Sequence, residues 1–222
     1  TFREKTGLVL DPYFSGSKIS WLLEHVSGLR RRAEKGEILF GTMDSWLLFH
    51  LTGKRTHATD FTNASRTLLF DLKRKKWDLR LAKMLHVPQA VLPEAKPSNS
   101  RFGVTKRFAP LPDGIPIYGV LGDQQAALFG QGCYHAGESK NTYGTGCFLL
   151  VNLGARLIHS RYGLLTTIAC DRKGNPVYAL EGAIFIAGAA VQWLRDGLCV
   201  IHRSSETEAI ARAAKEASEV VV

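Results

Sequence analysis

Ile117-Tyr118-Gly119-Val120-Leu121-Gly122-Asp123-Gln124-Gln125-Ala126-Ala127-Leu128-Phe129-Gly130 is the stretch on which the reading of this chain turns. Ile115 to Leu121 is an apolar run introduced by the turn Pro110-Leu111-Pro112-Asp113-Gly114, and it reads as a strand. Gln124 to Gly130 reads as a helix, which leaves Asp123 alone at a strand-to-helix junction. Further on, Asn141-Thr142-Tyr143-Gly144-Thr145-Gly146-Cys147-Phe148 adds a glycine-spaced hydroxyl turn. A lone acid beside a Gly-Thr-Gly turn suits transfer of a phosphoryl group to an alcohol. The acid takes the hydroxyl proton, and the glycines let backbone N–H groups approach phosphate oxygens. Both features also have plainer roles: Asp123 is a good N-cap for the helix at Gln124, and Gly-x-Gly is common in ligand-free hairpins.

Upstream of the junction, Ile19, Leu22, Leu23 and Val26 share one face of a helix predicted over Ser17–Val26, stopped by Gly28. The segment Ile38–Leu51 carries a helix entry at Thr42-Met43-Asp44. Asp60–Asn63 reads as loop, Arg66–Leu72 as strand, Asp78–Leu85 as helix, and Pro93–Pro112 as a proline-rich connector. Downstream, short strands are predicted at Lys140–Tyr143, Phe148–Asn152, Leu164–Ala169 and Val177–Leu180. The last two are joined by a hairpin turn, Asp171-Arg172-Lys173-Gly174-Asn175. Helices follow over Glu181–Asp196 and Ser205–Ser218. A boundary near Gly130 to Glu138 divides the chain into residues 1–130 and 131–222, two α/β units with a cleft between them.

The 222 residues, 45% apolar and 22% charged, are ordinary for a globular protein. The longest apolar run, Ala183–Leu194, contains Gln192 and reads as a buried helix, too short and too polar for a membrane span. Cys133, Cys147, Cys170 and Cys199 form no C-x-x-C pair, which points to reduced, buried thiols rather than a metal or disulfide framework. His57, His86 and His135 show no ligand spacing and read as surface residues. The net charge of +9 gathers partly at Arg30-Arg31-Arg32 and Lys73-Arg74-Lys75-Lys76. Without interleaved aromatics these read as a solvated helix face and a turn, not a nucleic-acid surface. The first residues, Thr1-Phe2-Arg3-Glu4-Lys5, carry no initiator Met and no signal-peptide core, and the last end in an apolar run, as in the middle of a longer protein.

Thr6-Gly7-Leu8-Val9-Leu10-Asp11-Pro12-Tyr13, Thr62-Asn63-Ala64-Ser65-Arg66-Thr67, the two motifs above, Gly163-Leu164-Leu165-Thr166-Thr167 and Gln192-Trp193-Leu194-Arg195-Asp196 together resemble the glycerol kinases of the FGGY carbohydrate kinase family. The order and spacing of these pieces along essentially the whole chain make the resemblance specific. It implies an α/β, actin/hexokinase-like (ribonuclease H-like) two-domain kinase, here truncated at both ends. The implied activity is ATP- and Mg²⁺-dependent phosphorylation of glycerol to sn-glycerol 3-phosphate. It also implies a cytoplasmic enzyme that assembles into dimers or tetramers, with residues 1–130 on the polyol side and 131–222 on the ATP side. The family's N-terminal nucleotide loop and its glycerol-gripping Arg-Glu pair have no counterpart here, so the chain alone is expected to be inactive. Residues 105–112 lack the glycines of the loop that binds fructose 1,6-bisphosphate in bacterial members.

The resemblance makes Asp123 the catalytic base and Tyr13, Asp123, Gln124 and Phe148 the glycerol contacts. Gly144, Thr145, Gly188 and Gln192 become nucleotide contacts, with Gly146 in the same turn. Each has a bland alternative: packing after a proline turn for Tyr13, a solvent-facing helix residue for Gln124, core for Phe148, and helix packing for Gly188 and Gln192. The alternatives in function are a kinase of another polyol or ketose, a catalytically silent nucleotide-binding relative, or a basic nucleic-acid-binding module.

Overall fold

The computed structural model describes residues 2–214. The chain folds as two units: the part up to Lys140 together with Leu150–Gly182, and Asn141–Leu149 together with the part from Ala183 onward.

The first unit opens with helices α1 (Phe2–Thr6), α2 (Ser15–His25), α3 (Leu29–Glu34) and α4 (Met43–Leu51). The apolar stripe of α2 buries Ile19 and Leu23 against Ala33, Leu69, Ala82, Val87 and Val91. Gly28 ends the α2 connection in the left-handed region, φ 73°, which suits a residue without Cβ. Residues 38–42 are not helical; helix begins only at the Thr42 cap.

Strand β1 (Ala58–Asp60) runs into a one-turn helix, α5 (Phe61–Ala64), where a loop was expected. Asp60 nucleates it: the carboxylate accepts the N–H groups of Thr62 and Asn63, each at 3.0 Å. A small hairpin, β2 (Phe70–Asp71) with β3 (Lys76–Trp77), precedes α6 (Leu79–Met84), which Asp78 caps. The basic residues 73–75 lie in the turn of that hairpin, and Lys76 opens β3.

The proline-rich stretch is more ordered than expected. It contains β4 (Glu94–Lys96), paired in parallel with β1, and β5 (Asn99–Val104), paired antiparallel with β6 (Pro116–Gly119). Its prolines fall outside or at the ends of these strands, where a missing N–H costs no ladder bond.

Helix α7 (Asp123–Gly130) follows β6. A four-stranded sheet then has the order β7-β8-β10-β9, from β7 (Ser139–Tyr143), β8 (Cys147–Gly154), β9 (Leu165–Cys170) and β10 (Pro176–Ile184). The hairpin predicted at Asp171–Asn175 is present, with Cys170 opposite Pro176 and Leu165 opposite Glu181. Leu128 of α7 packs on this sheet against Leu150, Ala169 and Ala179.

Glu181–Ile184 continues β10 rather than starting a helix. The β9 partner extends the ladder to Glu181, and that pairing overrides the helical tendency of Ala183. In the second unit, α8 (Gly188–Asp196) has no buried residue, so the expectation of a buried helix over Ala183–Leu194 is not met. The last predicted helix is α9 (Glu206–Ala213), and residues 215–218 of that prediction lie outside the described residues.

Candidate active site

The phase of α7 decides where Asp123 goes. Gln125 and Leu128, three residues apart, are the buried face of the helix, and Gln125 Nε2 donates to Thr167 Oγ1 at 3.3 Å. Asp123 is thereby left exposed. It is the first helical residue, not the cap: Gly122 occupies the cap position and no side chain caps this helix. The cap role set beside Asp123 in the sequence is therefore absent, while a carboxylate in the first turn is favoured by the helix dipole.

A pocket of about 800 Å³ in the first unit is lined by Asp123 and Tyr13 together with Lys18, Asp44, Trp46 and Arg66. Two of the predicted substrate-side residues thus share one cavity. Tyr13 is held by its backbone: its N–H donates to Asp11 Oδ1 at 2.7 Å and its carbonyl accepts from Lys18 Nζ at 3.0 Å. Its ring stands edge-on to the buried Phe14, with centroids 5.3 Å apart, and is 55% exposed. Tyr13 thus packs on its neighbour Phe14 after the proline turn while more than half of it stays exposed. Gln124 Nε2 donates to Asp123 Oδ2 at 3.2 Å, and Gln124 Oε1 accepts from Lys140 Nζ.

The structure adds groups that sequence reasoning passed over. Asp60 is wholly buried. It accepts from Ser98 Oγ at 2.6 Å and from the Thr62 hydroxyl at 2.7 Å, and that hydroxyl in turn accepts the Gly122 N–H at 2.7 Å. The residue before Asp123 is therefore tied to a buried acid. Burial raises the Asp60 carboxyl above its ordinary value, partly offset by the bonds from Ser98, Asn63 and Thr62. Arg66 lies over the Phe14 ring, 5.3 Å from its centroid, and donates to Glu181 Oε1 at 2.7 Å. Its Nη1 is buried without a hydrogen-bond partner among the described residues. The Thr-Asn-Ala-Ser-Arg segment was the available signal, since it holds Thr62 and Arg66, but nothing in it announced the buried acid.

In the second unit, Gly144, Thr145 and Gly188 come together. Gly188 N–H donates to Gly144 O at 3.0 Å, and the N–H groups of Ala187 and Ala189 donate to Thr145 O at 2.8 and 3.2 Å. The turn closes with Gly144 N–H on Gly146 O at 2.8 Å. Thr145 is exposed, and above Gly144 a Cβ would meet only Gly146 O, at 3.8 Å. The open backbone at Gly144 fits the approach of phosphate oxygens. Gln192 sits exposed one turn along α8 from Gly188. Phe148 is half-buried, edge-on to Phe185 at 6.5 Å.

Of the cysteines, Cys133, Cys147 and Cys170 are buried as expected, whereas Cys199 is exposed. His57 is half-buried rather than superficial, with Nε2 2.5 Å from Phe40 O. Among the described residues no helix is long and apolar enough to cross a membrane.

Residues 1–130 match the N-terminal domain, and residues 139–221 the C-terminal domain, of the FGGY family of carbohydrate kinases. The glycerol kinase of Listeria innocua is 53% identical over 222 residues, which is 100% of this chain and 45% of that protein. That of Haemophilus influenzae (strain PittEE) is 52% identical over 220 residues, covering 99% of this chain and 44% of the relative. The crystal structure of Plasmodium falciparum glycerol kinase with ADP superposes with a TM-score of 0.89 at 40% identity, over 97% of this chain and 43% of that one. The fold is thus the actin/hexokinase-like fold of carbohydrate kinases. The chain belongs to the FGGY family. It spans about half the length of the curated relatives it matches.

Proposed function

We propose that the protein transfers the γ-phosphoryl group of ATP to a terminal hydroxyl of glycerol, giving sn-glycerol 3-phosphate. The observation that carries this reading is Asp123 at the start of α7, exposed in the pocket that also holds Tyr13. Relatives named glycerol kinase, at 52–53% identity over the chain, support glycerol as the acceptor.

Asp123 accepts the proton of the attacking hydroxyl, a contribution of about 10²–10⁴ in rate. Tyr13, Gln124 and Phe148 orient the polyol. Gly144, Thr145, Gly188 and Gln192 face the nucleotide, and the neighbour crystallised with ADP supports a nucleotide site in this family. Mg²⁺ is carried with the phosphates, where it neutralises their charge. On the same reading residues 1–130 belong to the polyol-binding domain and 131–222 to the ATP-binding domain. The protein works in the cytoplasm as a homo-oligomer without a nucleic-acid partner.

The test is ADP release by the intact protein with glycerol, dihydroxyacetone, xylulose and ribulose. Turnover confined to glycerol is expected. Preference for a ketose moves the substrate assignment, and no turnover with any of the four, despite ATP binding, overturns the proposal.

A further inference from the structure

Lys140, the second residue of β7, is only 6% exposed although it is a lysine. Burial lowers its ammonium below the ordinary value, opposed by the nearby carboxylates of Asp123 and Glu181. A buried ammonium persists where it has hydrogen-bond acceptors and countercharge. Here Nζ donates to Gln124 Oε1, and Glu181, itself fastened to Arg66, supplies negative charge nearby.

The chemistry of the donors fixes a direction. An ammonium has three donors and no acceptor, so it can donate only to the oxygen end of a carboxamide. The Gln124 amide must then turn its nitrogen the other way, and Nε2 does donate to Asp123 Oδ2 at 3.2 Å. A flipped amide would set oxygen against carboxylate and NH₂ against ammonium, two repulsions in place of two attractions. Gln124 thus commits one N–H to Asp123 Oδ2 and keeps the second to donate.

We propose that Lys140 is a positioning residue of this site: by holding Gln124 Oε1 it locks the carboxamide that orients the Asp123 carboxylate. The inference rests on the reading of Asp123 and Gln124 as substrate-facing groups. Lys140 acts through Gln124, to whose Oε1 its Nζ donates.

The experiment is a double-mutant cycle in the intact protein with Lys140→Met, Gln124→Ala and the pair, reading kcat and KM for glycerol and for ATP. Lys140→Met is expected to lower kcat/KM for glycerol about 10–100-fold, the scale of a misplaced reacting group, with KM for ATP within about twofold. In the Gln124→Ala background the same substitution is expected to cost less than about twofold, because its partner is already gone. Lys140→Gln, which keeps a donor for Oε1, is expected to recover most of the loss and carries the cycle if Lys140→Met does not fold. Losses that multiply across the two sites overturn the inference while leaving glycerol phosphorylation standing. A wild-type protein inactive with glycerol contradicts the proposed function first, and this inference with it.

Discussion

Gly188→Ala is the substitution whose effect follows most directly from the geometry of the second unit. A Cβ at Gly188 would lie 2.5 Å from Gly144 O and 3.3 Å from Gly144 C. Ordinary contact begins near 3.4 Å, so the atoms overlap by about 0.9 Å. Both are backbone atoms, and no rotamer change relieves them. Either the turn or the start of α8 must retreat, and the retreat stretches the three N–H bonds from Ala187, Gly188 and Ala189 to the turn carbonyls. Overpacking of this kind costs about 1–3 kcal/mol. If the Gly144–Gly146 turn faces the phosphates, a displacement near 1 Å lowers kcat/KM for ATP about 100-fold. The assay is ADP release by the intact protein across ATP concentration at saturating glycerol. KM for glycerol should be unchanged. The control is Gly130→Ala, where a Cβ meets nothing within 4 Å. It should leave kinetics within about twofold and raise stability by about 0.4–1 kcal/mol. A Gly188→Ala protein with wild-type kcat/KM for ATP and wild-type melting temperature would refute the argument.

Three further outcomes follow from other parts of the molecule. Arg66→Met leaves Glu181, whose side chain is 5% exposed, without its 2.7 Å partner; a loss on the order of 3 kcal/mol in urea unfolding is expected, and an unchanged unfolding midpoint would count against it. Asp60 is raised above its ordinary 3.8 in the fold, so the stability linked to its protonation is complete below that value and is lost as pH rises through the higher folded value. Urea unfolding from pH 4 upward should therefore show a decline that Asp60→Asn flattens, and equal slopes in both proteins would count against it. Alkylation at pH 8 read by mass spectrometry should label Cys199 first, since Cys133 is raised by burial and Cys170 is pushed up to about 11 by burial beside Asp60 and Asp171.

Local chemistry made part of this fold readable in the sequence. The strand-to-helix junction at Asp123 and the Asp171–Asn175 hairpin are set by residues within a few positions of one another, and both are present; of the expected α2 stripe Ile19 and Leu23 are buried, whereas Leu22 and Val26 are exposed. What was not readable depends on distant partners. The parallel pairing of β1 with β4 joins Ala58 to Glu94, so short polar runs that look like loop become strand. Asp60 looked like a loop acid because part of its network comes from far along the chain: Ser98 donates to it, and Gly122 N–H donates to the Thr62 hydroxyl that it binds. Lys140 read as an ordinary strand residue, since its role depends on where α7 places Gln124. Within the site, the resemblance supplied Tyr13 and Asp123, and the pocket holds both; Arg66 and Asp60 required the structure.

The most direct test of the account is the turnover of Asp123→Asn in the intact protein with ATP and glycerol, beside a binding measurement for each. The account predicts a fall in kcat of about 10²–10⁴ with the fold, ATP affinity and glycerol affinity retained, because the amide fills the same space but accepts no proton. Near-normal kcat in that variant would contradict Asp123 as the base and remove the ground on which the phosphoryl-transfer reading of this pocket stands.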